Sequence, residues 1–273
     1  MKEIKLNTGL YVPMIGFGTY EIAPSETKQA VLTAIEVGYR HIDTAQYYQN
    51  EREVGQAIRE SKIPREEIFV TTKAMTDGYE ATKAGIEESL AKAGLDYFDL
   101  MILHWPMSDS IGSYRALTEA FQAGKLKNIG LSNFNINQTK EIMSSSPVKP
   151  VLDQIETHLY LQQGKMHKFL VDNNIVHESY SPLMENATAL LKHPVLKRIG
   201  ERYHKNGNGV QVLLRFLNQE NIMVIPRSTN PAHIKENFEI FDFELTSAEI
   251  AEIKKLDRRQ PIDGWPASMR IDE

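Results

Sequence analysis

Asp43-Thr44-Ala45-Gln46-Tyr47-Tyr48-Gln49-Asn50-Glu51 opens with an acid at the end of an apolar run and closes at the start of a helical pattern. Tyr48 stands five residues after Asp43 and two before Asn50. Two later runs share the layout: Ile68-Phe69-Val70-Thr71-Thr72-Lys73 and Leu100-Met101-Ile102-Leu103-His104 are strand-like and end on a polar or charged residue. Consecutive strands thus deliver an acid, a phenol, an ammonium and an imidazole, which together form a proton-handling set.

Outward from this stretch, strand-like and helix-like runs alternate along the chain. A short hairpin comes first, with 4–6 and 11–13 flanking Asn7-Thr8-Gly9, a loop whose glycine suits positive φ. It is expected to cap the bottom of the fold. Strand 14–18 pairs with helix 25–37, 39–43 with 51–61, 68–72 with 79–93, and 98–104 with 113–123. The pattern continues with 128–131 and 137–145, 152–155 and 164–173, 175–180 with 194–204 and 209–219, and 223–225 with 231–238. Thr246-Ser247-Ala248-Glu249 has the form of a capping box for one extra C-terminal helix. Eight strand-helix pairs with short connections predict an α/β fold, a (β/α)8 TIM barrel carrying an N-terminal β-hairpin and the extra helix. The strands are apolar runs rather than alternating ones, as expected where both faces are covered. The rival architecture, a doubly wound open sheet, lacks its glycine fingerprint, because Gly16-Phe17-Gly18 continues into Thr19-Tyr20-Glu21. With no linker or low-complexity segment, residues 1–273 are expected to form a single domain.

Composition narrows the class. A net charge of -5 with both signs interspersed leaves no basic footprint for nucleic acid. No apolar run approaches the roughly 18 residues of a membrane span. The start, Met1-Lys2-Glu3-Ile4-Lys5, has no apolar signal region, so a cytoplasmic protein is expected. The chain has no cysteine, which excludes disulfides, thiolate ligands and cysteine nucleophiles. The histidines show no close ligand pairing, so no metal is expected.

The D-T-A-x-x-Y-x-N-E motif, the Thr-Lys that ends the next strand and Leu103-His104-Trp105-Pro106 after the one following resemble the aldo-keto reductases, most of all small bacterial, diketogluconate-reductase-like members. The resemblance runs from Gly16-Phe17-Gly18-Thr19 to Glu236-Asn237. It implies reduction of aldehydes and ketones to alcohols, with Tyr48, Asp43, Lys73 and His104 as the catalytic set. The chemistry of the residues agrees. A phenol of reference pKa about 10 is a slow acid at neutral pH. An ammonium about 4 Å away is worth roughly 4 kcal/mol at an effective dielectric of 20, enough to lower that pKa by up to about 3 before screening. Lys73 is the candidate ammonium, Asp43 the carboxylate that keeps it charged, and His104 the donor that orients the carbonyl oxygen.

No side chain supplies a hydride, so a cofactor is implied. The resemblance makes it NADPH (NADP+), with NADH possible. It places Ser132, Asn133 and Gln154 on the carboxamide and Tyr180 against the nicotinamide ring, with Gly18, Thr19, Asp43, Ser181 and Leu183 completing that part of the set. Arg227, Ser228, Thr229, Asn230 and His233 match the segment for the adenosine 2′-phosphate, and Glu236 and Asn237 the adenine positions. Backbone N–H groups at a helix start favour an anion there. Two departures weaken the NADPH preference: Arg227 stands where many members carry lysine, and His233 where arginine is usual. Tyr20, His104 and Trp105 are the substrate candidates, with Tyr47 and Trp265 as further pocket aromatics. Ala74-Met75 replaces a bulkier pair, and Met184-Glu185-Asn186 lacks the glycine often found after Leu183. The expected partner is a small-molecule carbonyl compound, and the expected state a monomer. Two other functions fit parts of the pattern: a non-catalytic nicotinamide-binding barrel serving as a partner-binding subunit, and a Schiff-base aldolase using Lys73, although a carboxylate partner disfavours a nucleophilic lysine.

Overall fold

A computed structural model of the chain describes residues 2–184, 187–205, 209–262 and 271. The first two strands, β1 (Glu3–Lys5) and β2 (Tyr11–Pro13), pair antiparallel as the expected hairpin. Then follow β3 (Phe17–Gly18), α1 (Pro24–Val37), β4 (His41–Asp43), α2 (Glu51–Glu60), β5 (Phe69–Ala74), α3 (Tyr79–Ala93), β6 (Leu100–Leu103) and α4 (Ser110–Gln122). The second half comprises β7 (Ile129–Ser132), α5 (Ile136–Ser145), β8 (Leu152–Glu156), α6 (Gly164–Asp172), β9 (Val176–Tyr180), α7 (Ala187–Leu191), α8 (Pro194–Arg202), α9 (Gly209–Gln219), β10 (Met223–Val224), α10 (Pro231–Phe238) and α11 (Ser247–Lys254).

Strands β3 to β10 form one sheet in strict sequence order, every pair parallel. The ring closes where the chain before β3 meets β10. Ile15 and Val224 form a parallel bridge, the Gly16 N–H donates to the Val224 carbonyl at 2.9 Å, and the Val224 N–H donates to the Met14 carbonyl at 3.2 Å. This seam needs glycine at two positions. A Cβ on Gly18 would lie 2.7 Å from the Ile225 carbonyl oxygen, and one on Gly16 would lie 2.5 Å from the His41 ring. The (β/α)8 barrel expected from the alternation is therefore the fold.

The hairpin plugs the lower end. Leu6, Val12 and Met14 pack with Phe69, Leu100, Ile102, Leu152, Val176 and Met223, the inward side chains from the lower parts of five strands. A second, larger cluster lies between the sheet and the helices, including Val31, Ile35, Ile86, Leu117, Leu213 and Phe216. Burial on both faces explains why the strands lack alternation. Helix starts follow local chemistry. Asn135 with Gln138 and Thr246 with Glu249 make capping boxes at α5 and α11. Helix α4 begins at Ser110, earlier than the expected 113, because the Asp109 side chain accepts from the Gly112 N–H and caps it. The short α7 and a 3-10 turn over Gln46–Tyr48 are absent from the sequence reading. Among the described residues no helix is long and apolar enough to cross a membrane.

Candidate active site

Asp43, at the upper end of β4, and Lys73, in β5, are inward-facing and fully buried, and they form an ion pair. The Lys73 ammonium also donates to the Thr44 carbonyl at 3.0 Å. Asp43 has a second partner, since the Gln154 amide donates to its Oδ2 at 3.0 Å. Burial raises the Asp43 pKa, and the Lys73 charge and hydrogen bond oppose that rise. An ammonium bound in this way is unsuited to nucleophilic attack, which needs a neutral amine.

Tyr48 is held above this pair by the 3-10 turn. Gln46 clamps that turn from below: its oxygen accepts from the Met75 N–H at 2.8 Å, and its amide donates to the Gly85 carbonyl and the Ser89 hydroxyl, each at 3.0 Å. Lys73 Nζ lies 4.8 Å from the centre of the Tyr48 ring. The Tyr48 phenol is nonetheless pushed well above its ordinary pKa, contrary to the lowering expected from Lys73. Burial is the main cause, followed by the negative charge of Asp43, then Tyr20 and Glu178. Pairing explains why Lys73 does not offset this rise: the ammonium faces Asp43, so little uncompensated positive charge reaches the phenol.

His104 follows β6 and is 5% exposed, its ring 5.7 Å from that of Tyr48 and stacked on Trp105 at 3.9 Å. Burial, then the Lys73 charge, hold the imidazole well below its usual pKa, so it is neutral. Its carbonyl accepts from Asn133 Nδ2 at 3.1 Å. The remaining motif residues are scaffolding. Asn50 accepts from the Thr44 hydroxyl at 2.8 Å and donates to the Thr19 and Ile22 carbonyls, and Glu51 accepts from Thr72 at 2.6 Å. These bonds tie the loops after β3 and β4 to β5 and so fix where Asp43 and Tyr48 point.

Asp43, Tyr48 and His104 line a cleft of about 700 Å³, with Lys73 behind them, and the lining includes Gly18, Tyr20, Trp105, Ser132, Asn133, Gln154, Tyr180, Ser181, Leu183 and Arg227 among others. Ser132, Asn133 and Tyr180 are linked at its floor: Ser132 donates to the Gln154 carbonyl at 2.8 Å, and Tyr180 to Asn133 Oδ1 at 2.8 Å. Asn133 adopts φ 65°, a left-handed conformation that asparagine tolerates, and this turns its amide inward. Tyr47, Met75, Pro106, Met107 and Met184 form the rim. Trp265, Glu185 and Asn186 lie outside the described residues.

Three expected positions are arranged otherwise. Thr19 is fully buried, and its hydroxyl donates to the Asp43 carbonyl at 2.9 Å, so it braces the site from behind instead of lining it. At α10, Pro231 has no N–H and the Ala232 N–H is taken by Asn230 Oδ1 at 2.9 Å, which removes part of the expected backbone anion site. His233 and Glu236 are exposed, and Asn237 is buried. Arg227, in turn, forms a 2.5 Å ion pair with Glu21, a residue that the sequence reading left out. Also left out were Glu178 and His41, fully buried inside the barrel. An acid in the middle of the expected barrel strand 175–180 was the available signal, because a carboxyl seldom enters a strand covered on both faces unless something there uses it.

The family model described as "Aldo/keto reductase family" matches residues 14–258. The chain is 40% identical over 268 residues to the 9,11-endoperoxide prostaglandin H2 reductase of Trypanosoma cruzi, covering 96% of this chain and 94% of that one. It is 36% identical over 257 residues to the methylglyoxal reductase DkgA of Yersinia pestis, covering 93% and 92%. Among solved structures, an aldo-keto reductase of Bombyx mori in complex with NADP superposes with a TM-score of 0.89 at 34% identity, over 95% of this chain and 94% of that one.

Proposed function

Because the chain belongs to the aldo/keto reductase family, we propose that it reduces aldehydes or ketones to alcohols with NADPH, Tyr48 supplying the proton. The observation that carries this reading is the meeting of Tyr48 and His104 over the buried Asp43–Lys73 pair at the foot of one cleft. The residues present fit a nicotinamide. Ser132, Asn133 and Gln154 line the cleft with hydroxyl and amide groups, the Gln154 oxygen being the part of its amide not engaged by acids, Tyr180 offers a ring face, and Gly18 lines the cleft without a side chain. When bound, the reduced nicotinamide supplies the hydride.

The chain's own part is proton transfer and orientation. With its pKa raised, Tyr48 keeps its proton at neutral pH and is in the donor form. Neutral His104 orients the carbonyl oxygen toward that phenol, and the Asp43–Lys73 pair fixes the floor on which Tyr48 stands. Aromatic and thioether side chains at the rim, Tyr20, Tyr47, Trp105, Met75 and Met107, suit small to medium aldehydes, ketones and oxo-aldehydes. Arg227 at the edge of the cleft is the cation for a 2′-phosphate, which favours NADPH; the Bombyx mori relative was solved with NADP. We also read the chain as a single domain, a monomer and a cytoplasmic protein. A purely binding role leaves the assembled tetrad without a task, and the lysine ion pair counts against an aldolase.

The test is NADPH oxidation followed against methylglyoxal, other aldehydes, diketones and keto-sugars. Tyr48→Phe, which removes only the phenolic proton, is expected to lose roughly 100-fold or more in turnover while keeping the fold and cofactor binding. Tyr47→Phe serves as the neighbouring control. No carbonyl turnover by the wild type, or loss in Tyr47→Phe but not in Tyr48→Phe, overturns the reading.

A further inference from the structure

Below the tetrad lies a second carboxyl group. Glu178 points into the barrel from β9 and is 0% exposed. Its Oε2 accepts from the Gln154 amide at 2.7 Å, and the same nitrogen donates to Asp43 Oδ2 at 3.0 Å. A single amide group therefore bridges two acids, using both of its N–H bonds. Its oxygen is left to point away from them, so the two acids set the orientation of a residue that lines the cleft. Glu178 Oε1 has no hydrogen-bond partner among the described residues, and the nearest ring nitrogen, His41 Nδ1, is 3.8 Å away.

The charges around Glu178 can be followed strand by strand. From β4 it faces Asp43 and His41, and from β5 Lys73. Gln154 on β8 is uncharged, β10 contributes apolar side chains, and Tyr48 stands above. His41 donates to or accepts from Thr71 at 3.0 Å, and burial, then Lys73, hold it at about 3, so it remains neutral. One ammonium therefore serves two carboxyl groups in a space closed to water. Burial, then Asp43, push Glu178 up to about 8, so at neutral pH it is largely protonated and the layer holds one anion and one cation.

We propose that Glu178 is a positioning residue for the proposed carbonyl reduction: in its neutral form it sets Gln154 and keeps a single anion beneath Tyr48, and its ionisation weakens Tyr48 as an acid. The last step follows from sign alone. A second negative charge below the phenol favours the neutral phenol over the phenolate, so proton donation to the developing alkoxide becomes harder.

The inference rests on the carbonyl-reductase reading for its kinetic arm only. In the wild-type chain labelled with carbon-13 at glutamate carboxyl groups, NMR should show one signal, absent in Glu178→Gln, that titrates near pH 8. In Asp43→Asn its midpoint should move down, because an anion is removed and Lys73 is left without its first partner. The ring-carbon signal of Tyr48, identified by its absence in Tyr48→Phe, should show an inflection at the same pH, which Glu178→Gln abolishes. In turnover, kcat for carbonyl reduction should fall roughly 3- to 10-fold as pH rises through that midpoint, and Glu178→Gln should lack this fall. A merely structural glutamate leaves the Tyr48 signal and the pH profile of kcat unmoved. Titration in the ordinary carboxylate range, or a Tyr48 signal blind to Glu178, overturns the proposal, and so does a fall in kcat that persists in Glu178→Gln. A chain that reduces no carbonyl but passes both NMR tests overturns the activity, whereas failed NMR tests in a working reductase overturn the role of Glu178.

Discussion

Lys73 is fully buried and has no water to turn to, so Asp43 and the Thr44 carbonyl must satisfy it. Such a pair is weak evidence for stability, since desolvating both ions offsets much of their attraction, but breaking it is costly. Lys73→Met leaves a buried carboxylate facing a methyl group and is expected to lose about 3–5 kcal/mol, read from denaturant unfolding. In that variant the folded-state pKa of Asp43 lies above its unfolded value. The deficit is therefore small at acid pH, where Asp43 is protonated in both states, and grows as pH rises through the carboxylate range. Asp43→Asn combined with Lys73→Met should recover most of the loss, and two losses that simply add would contradict the coupling. Asp43, Tyr48, Lys73 and His104 could be singled out in the chain, because they stand at or near successive strand ends and match the motif of the family that the chain resembles. Glu178 and His41 were not, because their neighbours come from other strands: Glu178 lies 24 residues from Gln154, and His41 lies 30 from Thr71.

At the level of elements, two connections meet at the edge of the cleft. Glu21 lies between β3 and α1, Arg227 between β10 and α10, and their ion pair joins them. Both side chains are about half exposed, so the pair contributes only about 0.2–1 kcal/mol. A phosphate offers Arg227 a stronger, charge-assisted partner. Arg227→Ala is therefore expected to weaken NADPH binding about 10-fold or more while leaving NADH nearly unchanged, as measured by quenching of protein fluorescence. Glu21→Gln should tighten NADPH by up to about fivefold, because the guanidinium no longer has to leave a carboxylate. Equal losses for both cofactors in Arg227→Ala would remove this loop from the 2′-phosphate site. The cation itself was legible from its place after the last strand, whereas its partner was hidden, because the contact spans the seam at which the barrel closes.

Across the whole molecule, the two ends of the barrel divide the work. The hairpin and the lower strand residues form an apolar plug, while Asp43, Lys73, His104 and Tyr48 gather at the upper end. Leu6→Ala is expected to lose about 2–4 kcal/mol of stability by opening a cavity in the plug, with kcat of the folded enzyme unchanged. A matching drop in kcat would show that the ends are coupled. The chain by itself determined the element order and the parallel sheet, and it placed the four chemical side chains, because periodicity and strand-end offsets are local properties of covalent sequence. Tertiary structure alone decided the rest. It set the closing seam at Gly16 and Gly18, the clamp of Gln46 on the Tyr48 turn, the rise instead of fall in the Tyr48 pKa, and the shared amide between Asp43 and Glu178. Each of these depends on distance and desolvation between groups far apart in the chain, and spacing along a sequence carries neither quantity.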